Sequence, residues 1–161
     1  MAATRQLFTQ LQLAGTGLVP PSEVALEQAM ARRAPAGPHA LAEAVQLAML
    51  RVRAPLVALD ADRLGEQVVL RAGAPGEAYP AGEGRRVLAE GRLLLADAEG
   101  PFASPAGEAG RARVGSATAR VLLALFLPAD LPAPAAEERL ETVRRTLEEA
   151  TGARASARLL L

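Results

Sequence analysis

Residues 38–64, PHALAEAVQLAMLRVRAPLVALDADRL, contain the two adjoining segments that decide the fold. The first, from His39 to Arg53, is apolar on nearly every side when it is drawn as a helix, which is typical of a helix buried in a protein interior. The second, from Pro55 to Leu59, is a short apolar run closed by a turn that starts at Asp60, which predicts a buried strand. The stretch therefore predicts a buried helix that leads directly into a buried strand.

Three polar side chains interrupt the predicted helix. His39, Glu43 and Gln46 are four and three residues apart, so they share one helix face. Because buried polar groups need hydrogen-bond partners or a ligand, this face is a candidate binding surface. His39 has an alternative interpretation, since it follows Gly37 and Pro38 and could bond its own backbone at the helix start.

The rest of the chain predicts two more helices and a series of short strands. One helix follows Pro20 and ends at Arg32 and Arg33, and the other carries an apolar stripe from Ala136 to Ala150. The strand predicted at 120–127 is the most apolar of the chain and is expected at the centre of the sheet, and the glycine-rich stretch 101–110 is expected to be a loop. Further strands are predicted at residues 3–13, 55–59, 66–71, 85–88, 92–96, 111–114 and 153–161.

These segments predict an α+β fold. Helices come first, strands occupy the middle of the chain, and a helix closes it. We expect a single domain over residues 1–161, in which a central mixed or antiparallel sheet is packed by about three helices.

The composition excludes several kinds of chemistry. All 18 basic residues are Arg, there is no Lys and no Cys, and His39 is the single histidine. Mechanisms that need a lysine amine or a cysteine thiolate are therefore excluded, and a metal site with two histidines cannot form. We expect no metal and no cofactor. The Arg and Pro content and the absence of Asn also suit heat tolerance.

The charge balance restricts the partners. The 18 basic and 18 acidic residues cancel, which argues against general nucleic-acid affinity, so any RNA contact is expected to be local. The densest candidates are Arg111, Arg113 and Arg120, which have no acid between them. A solvated strand and loop face is the alternative interpretation of these arginines.

The chain shows no sign of export or membrane insertion. Residues 1–14 do not read as a signal peptide. The longest strongly apolar run has seven residues, against the roughly 20 that cross a bilayer. We expect a cytoplasmic protein with no membrane and no DNA partner.

Five segments carry a resemblance to a known family. They are PHALAEAVQL at 38–47, PLVALDADRL at 55–64, APGEAY at 74–79, LLAD at 94–97 and VGSATARVLL at 114–123. In this order they resemble the B-three/B-four editing domain of the phenylalanyl-tRNA synthetase beta subunit, over about residues 20–128. Nothing in the chain resembles the aminoacylating half of that synthetase, so the resemblance implies a free-standing homologue that does not charge tRNA itself.

The resemblance implies a pocket that hydrolyses a mischarged aminoacyl ester, and a surface that binds the 3′ end of an aminoacyl-tRNA. The expected partner is an aminoacyl-tRNA or a free amino acid, and the oligomeric state is left open. Carried over by position, the residues fall into three groups: catalytic Glu43, Glu108 and Thr118, substrate-binding His39, Gln46, Val57 and Arg120, and RNA-binding Arg111 and Arg113.

The chain departs from the family pattern at several of these positions. Val57 stands where the family has its editing histidine, and His39, Glu43 and Gln46 replace Asn, Asp and Asn on the helix. An apolar Val57 is expected to favour a different or smaller amino acid than tyrosine. Three functions stay open: a deacylase that acts in trans, a binding module for an amino acid or an aminoacylated tRNA end, and a structural partner in a larger assembly.

Overall fold

The computed structural model describes Thr9 and residues 21–31, 37–81 and 86–157. Three helices lie within these residues: α1 (Pro21–Met30), α2 (Ala40–Val52) and α3 (Ala133–Thr151). α3 ends at Gly152, which adopts the left-handed conformation that favours glycine at helix ends. None of the helices in these ranges combines the length and the hydropathy that a bilayer span requires.

The described residues also form eight short strands in three separate antiparallel sheets. The first sheet is the ladder of β1 and β8, the second has four strands in the order β2, β5, β6, β7, and the third pairs β3 with β4. The strand bounds are β1 (Leu56–Asp60), β2 (Val69–Ala72), β3 (Ala78–Pro80), β4 (Arg86–Leu88), β5 (Leu93–Asp97), β6 (Gly100–Ser104), β7 (Gly107–Glu108) and β8 (Val121–Leu125).

The ladder of β1 and β8 separates two apolar cores. All five residues of β1 are buried, because consecutive side chains of a strand point to opposite faces and both faces are covered here. Leu56 and Ala58 belong to the core that also holds α2 and α3. Val57 and Leu59 belong to the other core, which contains Tyr79 and the strands β5 and β6.

Helix α2 lies on one face of this ladder and starts at the end where β1 finishes. Three residues separate Val52, at the end of α2, from Leu56, at the start of β1, so the chain reverses there. A helix of 13 residues spans about 20 Å and a strand of five about 17 Å, which brings the start of α2 back to the end of β1. Leu41, in the first turn of α2, accordingly packs in the same core as Val114 and Val121.

The structure confirms the α+β class, the three helices and the antiparallel pairing, whereas the single central sheet is wrong for the described residues. β8, expected at the sheet centre, pairs with β1 alone among the described strands, and its residues are only half-buried. The ladder gains just one bridge, Leu59 to Arg113, on its other side. The reason is a 3₁₀ turn at Gly110–Ala112, which interrupts the extended backbone, so that no third strand forms beside β1 at residues 111–114.

Three sequence predictions near loops and ends also need correction or lie outside the described residues. The stretch 101–110 is a hairpin of β6 and β7 and not a loop, because Gly107, with a φ of 130°, allows the tight turn between them. Residues 153–157 form no strand. The strand predicted at 3–13 lies outside the described residues except for Thr9, whose backbone is helical.

Candidate functional site

Asp60 and Thr118 form a buried hydrogen-bonded pair where β1 ends. The side chain of Asp60 is 8% exposed, and its Oδ1 atom accepts a hydrogen bond from the backbone N–H of Asp62 at 3.1 Å. The hydroxyl of Thr118 donates to Asp60 Oδ2 at 2.7 Å and accepts from the backbone N–H of Gly115 at 3.0 Å. The pair therefore holds the loop that precedes β8 against the end of β1.

Exposed arginines surround this pair. Arg120 Nε donates to Asp62 Oδ1 at 2.6 Å, and their side chains are 75% and 46% exposed. The Nε atom of Arg63 lies 3.5 Å from Asp60 Oδ2, with 61% of the arginine side chain exposed. We call the five residues Asp60, Asp62, Arg63, Thr118 and Arg120 the ladder-end cluster.

Glu108 and Arg113 pair with each other on the opposite face of the ladder. Arg113 is the bridge partner of Leu59, and bridge partners project to the same side of a sheet. That side is the core that contains Leu59 and Val57. Arg113 Nε donates to Glu108 Oε1 at 3.2 Å, so each charge of this pair is already compensated.

Arg111 is bound into the structure by a buried carboxylate. Its guanidinium donates to both oxygens of Asp97, at 2.6 and 3.0 Å, and stacks over the ring of Phe102 at 5.2 Å. The Asp97 side chain is fully buried and also accepts from the backbone N–H groups of Gly65 and Glu99. These hydrogen bonds, led by those from Arg111, lower the pKa of Asp97 to about 2. Only 28% of the Arg111 side chain remains exposed, so little of it is left for RNA.

The polar face of α2 points away from the ladder. The residues that α2 buries are Ala44, Val45, Ala48, Met49 and Val52. At about 100° per residue, Glu43 lies on the opposite side of the helix from them, and it is exposed. Apolar side chains occupy the interface of α2 with β1 and β8, so the predicted polar stripe does not line that interface.

His39 caps α2, as the alternative interpretation of the sequence expected. Its Nδ1 atom accepts a hydrogen bond from the backbone N–H of Ala42 at 3.2 Å. This contact satisfies one of the free N–H groups at a helix start. Gln46 is half-buried, and its side-chain Oε1 atom is shielded from solvent.

Val57 does not meet the other predicted substrate-binding residues. Its side chain is 3% exposed and packs in the core on the far side of β1 from α2. Val57 therefore does not share a site with the predicted substrate-binding residues of α2, His39 and Gln46. Strand alternation is the physical reason, because it separates Val57 from α2 by the thickness of the ladder.

Sequence reasoning undervalued Asp60, Asp62 and Arg63. The sequence predicts a turn that starts at Asp60, and Asp60 does accept from the turn backbone. Asp60 also accepts a hydrogen bond from Thr118. This contact could not be predicted from local sequence patterns, because 58 residues separate the two side chains along the chain. The signal that could have revealed it is an acidic residue directly after a fully apolar strand, where burial demands a partner.

No protein-family model matches the chain, and no curated protein matches it. The resemblance to the synthetase editing domain remains a prediction that rests on the five quoted segments. In the described ranges, no group of three His, Asp or Glu side chains is placed to hold a metal ion.

Proposed function

We propose that this chain is an editing-type domain that binds the aminoacylated 3′ end of tRNA at the ladder-end cluster. One observation supports this assignment most strongly. Two exposed arginines, Arg63 and Arg120, flank Thr118 at the end of one strand. Arginine is the side chain best suited to bind phosphate, and Thr118 is the pocket residue that best matches the family resemblance.

The ion pairs of the ladder-end cluster do not prevent phosphate binding. Exposed ion pairs contribute roughly 0–1 kcal/mol to stability, and the side chains of Arg120 and Asp62 are both largely exposed. A phosphate oxygen can therefore replace the Asp62 carboxylate as the partner of Arg120 at low cost. By contrast, Arg111 would have to leave the fully buried Asp97, which costs far more.

Fluorescence anisotropy with short RNA probes tests this proposal. The probes are a labelled ACCA oligonucleotide, uncharged or carrying tyrosine, phenylalanine or alanine through a non-hydrolysable amide at its 3′ end. We expect at least one aminoacylated probe to bind more tightly than the uncharged one, and R120Q to weaken that binding about tenfold. Equal affinity for charged and uncharged probes contradicts the proposal.

Arg145 provides the matched control for Arg120. It is an exposed arginine on α3, 65% exposed and 3.7 Å from Glu141, so R145Q removes the same charge far from the ladder end along the chain. We expect R145Q to bind the probes as the unmodified protein does. Equal losses in R120Q and R145Q would indicate a general charge effect and no site at the ladder end.

Ester hydrolysis in trans is a second candidate function, and it is favoured by Thr118. Of the three residues expected to be catalytic, Glu43 is exposed on the outer face of α2, and Glu108 is paired with Arg113 on the other face of the ladder. The Thr118 oxygen, by contrast, keeps a lone pair that can orient a water molecule. That water would attack the ester carbonyl, the bond from the carbonyl carbon to the ribose oxygen would break, and the water proton would pass to the leaving oxygen.

The release of amino acid from a panel of ester-linked mischarged tRNAs tests hydrolysis. We expect T118V to lower the rate at least tenfold and T118S to retain it. A loss that instead follows E43A or E108A would assign the chemistry to a carboxylate. An absence of release across the panel removes this second function and leaves the binding proposal standing.

A further inference from the structure

The hydrogen bonds of Thr118 determine which groups its hydroxyl can recognise. A threonine hydroxyl has one proton to donate and two lone pairs that accept. The proton is directed to Asp60 Oδ2 at 2.7 Å, because a carboxylate can only accept. One lone pair takes the N–H of Gly115 at 3.0 Å. One lone pair therefore remains on this oxygen, and it can only accept a hydrogen bond.

The acceptor character of this oxygen selects the ligand group that the site binds. Thr118 has no free proton to donate to a ligand carboxylate or phosphate oxygen, whereas its lone pair can accept a hydrogen bond from a ligand N–H group. The carboxylate of Asp60 stands directly behind the hydroxyl and adds negative charge. We infer that Thr118 and Asp60 bind the free α-ammonium group of the aminoacyl ligand, which then takes the lone pair that a hydrolytic water would need. This inference rests on the proposed binding function and not on hydrolysis.

The neighbouring charges are compatible with an ammonium group at Thr118. Arg120 is neutralised by Asp62 at 2.6 Å. Arg63 lies 3.5 Å from Asp60 Oδ2, beyond a close hydrogen bond, and its side chain is 61% exposed. Arg63 can therefore turn toward solvent or an RNA phosphate when an ammonium group approaches Asp60. The two arginines then contact the phosphates while the threonine and aspartate contact the amino acid.

Acetylation of the α-amino group tests this inference on the unmodified protein. The probes are the amide-linked aminoacyl oligonucleotides described above, each prepared with a free and with an N-acetylated α-amino group. Because acetylation removes the positive charge and two N–H donors, we expect the dissociation constant to rise about tenfold or more. Equal affinity for the free and acetylated probes overturns the inference.

The same measurement distinguishes the failure of this inference from the failure of the proposed function. If both aminoacylated probes bind equally well and better than the uncharged one, the proposed function stands and the ammonium contact is wrong. If no probe binds, or if all three bind alike, both are wrong.

Variants of Thr118 and Asp60 connect the effect to these side chains. T118V removes the hydrogen-bond acceptor and D60N removes the negative charge. We expect both variants to bind the free-amine probe more weakly and to bind the acetylated probe with nearly unchanged affinity. T118S retains the hydroxyl and is expected to preserve the preference. T142V is the matched control, since Thr142 on α3 bonds its own helix backbone at 2.9 Å. If T118V folds normally and loses affinity for both probes equally, the ammonium contact is wrong.

Discussion

The carboxylate of Asp97 joins three parts of the chain that are distant in sequence. It accepts hydrogen bonds from the backbone at Gly65 and Glu99 and from the guanidinium of Arg111. The side chain is fully buried, so the loss of its charge leaves four N–H donors from three residues without an ionised acceptor.

We expect D97N to destabilise the protein by about 2 kcal/mol at pH 7. The pKa of Asp97 is lowered to about 2 in the folded state, chiefly by the hydrogen bonds from Arg111. A lowered pKa in the folded state stabilises the protein above the pKa of the unfolded chain, near 4, and this contribution is lost as the pH falls toward 2. The difference in unfolding free energy between the two proteins should therefore shrink from pH 7 to pH 2.

Urea denaturation at pH 7, 4 and 2.5 measures this difference. The exposed Asp130 supplies the control, since D130N should change the unfolding free energy by less than about 0.5 kcal/mol at each pH. A D97N effect that is constant with pH would show that Asp97 acts by packing and not by its charge.

At the scale of secondary structure, α2 is the part of the chain whose bounds the sequence predicted most closely. The prediction of a helix from His39 to Arg53 agrees with α2, because the cap residue, the apolar spacing and the left-handed residue at its end are all local features. The sequence did not specify which side of this helix faces the ladder. The helix has apolar residues on several sides, and the side that faces the ladder depends on residues far away in sequence.

The packing of α2 in its apolar core gives a test of whether unfilled space exists there. Ala48 is fully buried in the core that α2 shares with α3, β1 and β8. We expect A48L to destabilise the protein by about 1–3 kcal/mol, because the larger side chain must displace its neighbours. Thermal or urea unfolding measures the change.

Ala40 is the matched position for this substitution. It lies in the same helix and is exposed, so A40L should change the unfolding free energy by less than about 0.5 kcal/mol. If A48L proved as stable as the unmodified protein, the core around Ala48 would contain unfilled space for the three additional carbon atoms of leucine.

At the scale of the whole molecule, the zero net charge limits how the protein can bind RNA. The 18 arginines are balanced by 18 acids, and Arg111 and Arg113 are engaged with Asp97 and Glu108. Arg63 and Arg120 also have acidic neighbours, but with 61% and 75% of their side chains exposed they are the arginines of the ladder end that are expected to contact phosphates. Binding is therefore expected to depend on few ionic contacts.

The salt dependence of probe binding measures their number. Each phosphate contact with a single strand contributes a slope of about −0.7 to the plot of log affinity against log salt concentration. Two contacts predict a slope of about −1 to −2, and R120Q should reduce its magnitude by roughly one contact. A slope that corresponds to eight or more contacts would mean that a different surface binds the RNA.

The sequence by itself determined the α+β class, the positions of α2 and α3 and the buried character of β1. Local spacing, caps and apolar runs specify these features without reference to the rest of the chain. Only the tertiary structure decided that Val57 and α2 lie on opposite faces of one strand, that Arg111 is bound by Asp97, and that Thr118 is bound by Asp60, 58 residues away. The physical reason is that a single residue step reverses the face of a strand, and that the partner of a buried charge is set by which segments the fold brings together.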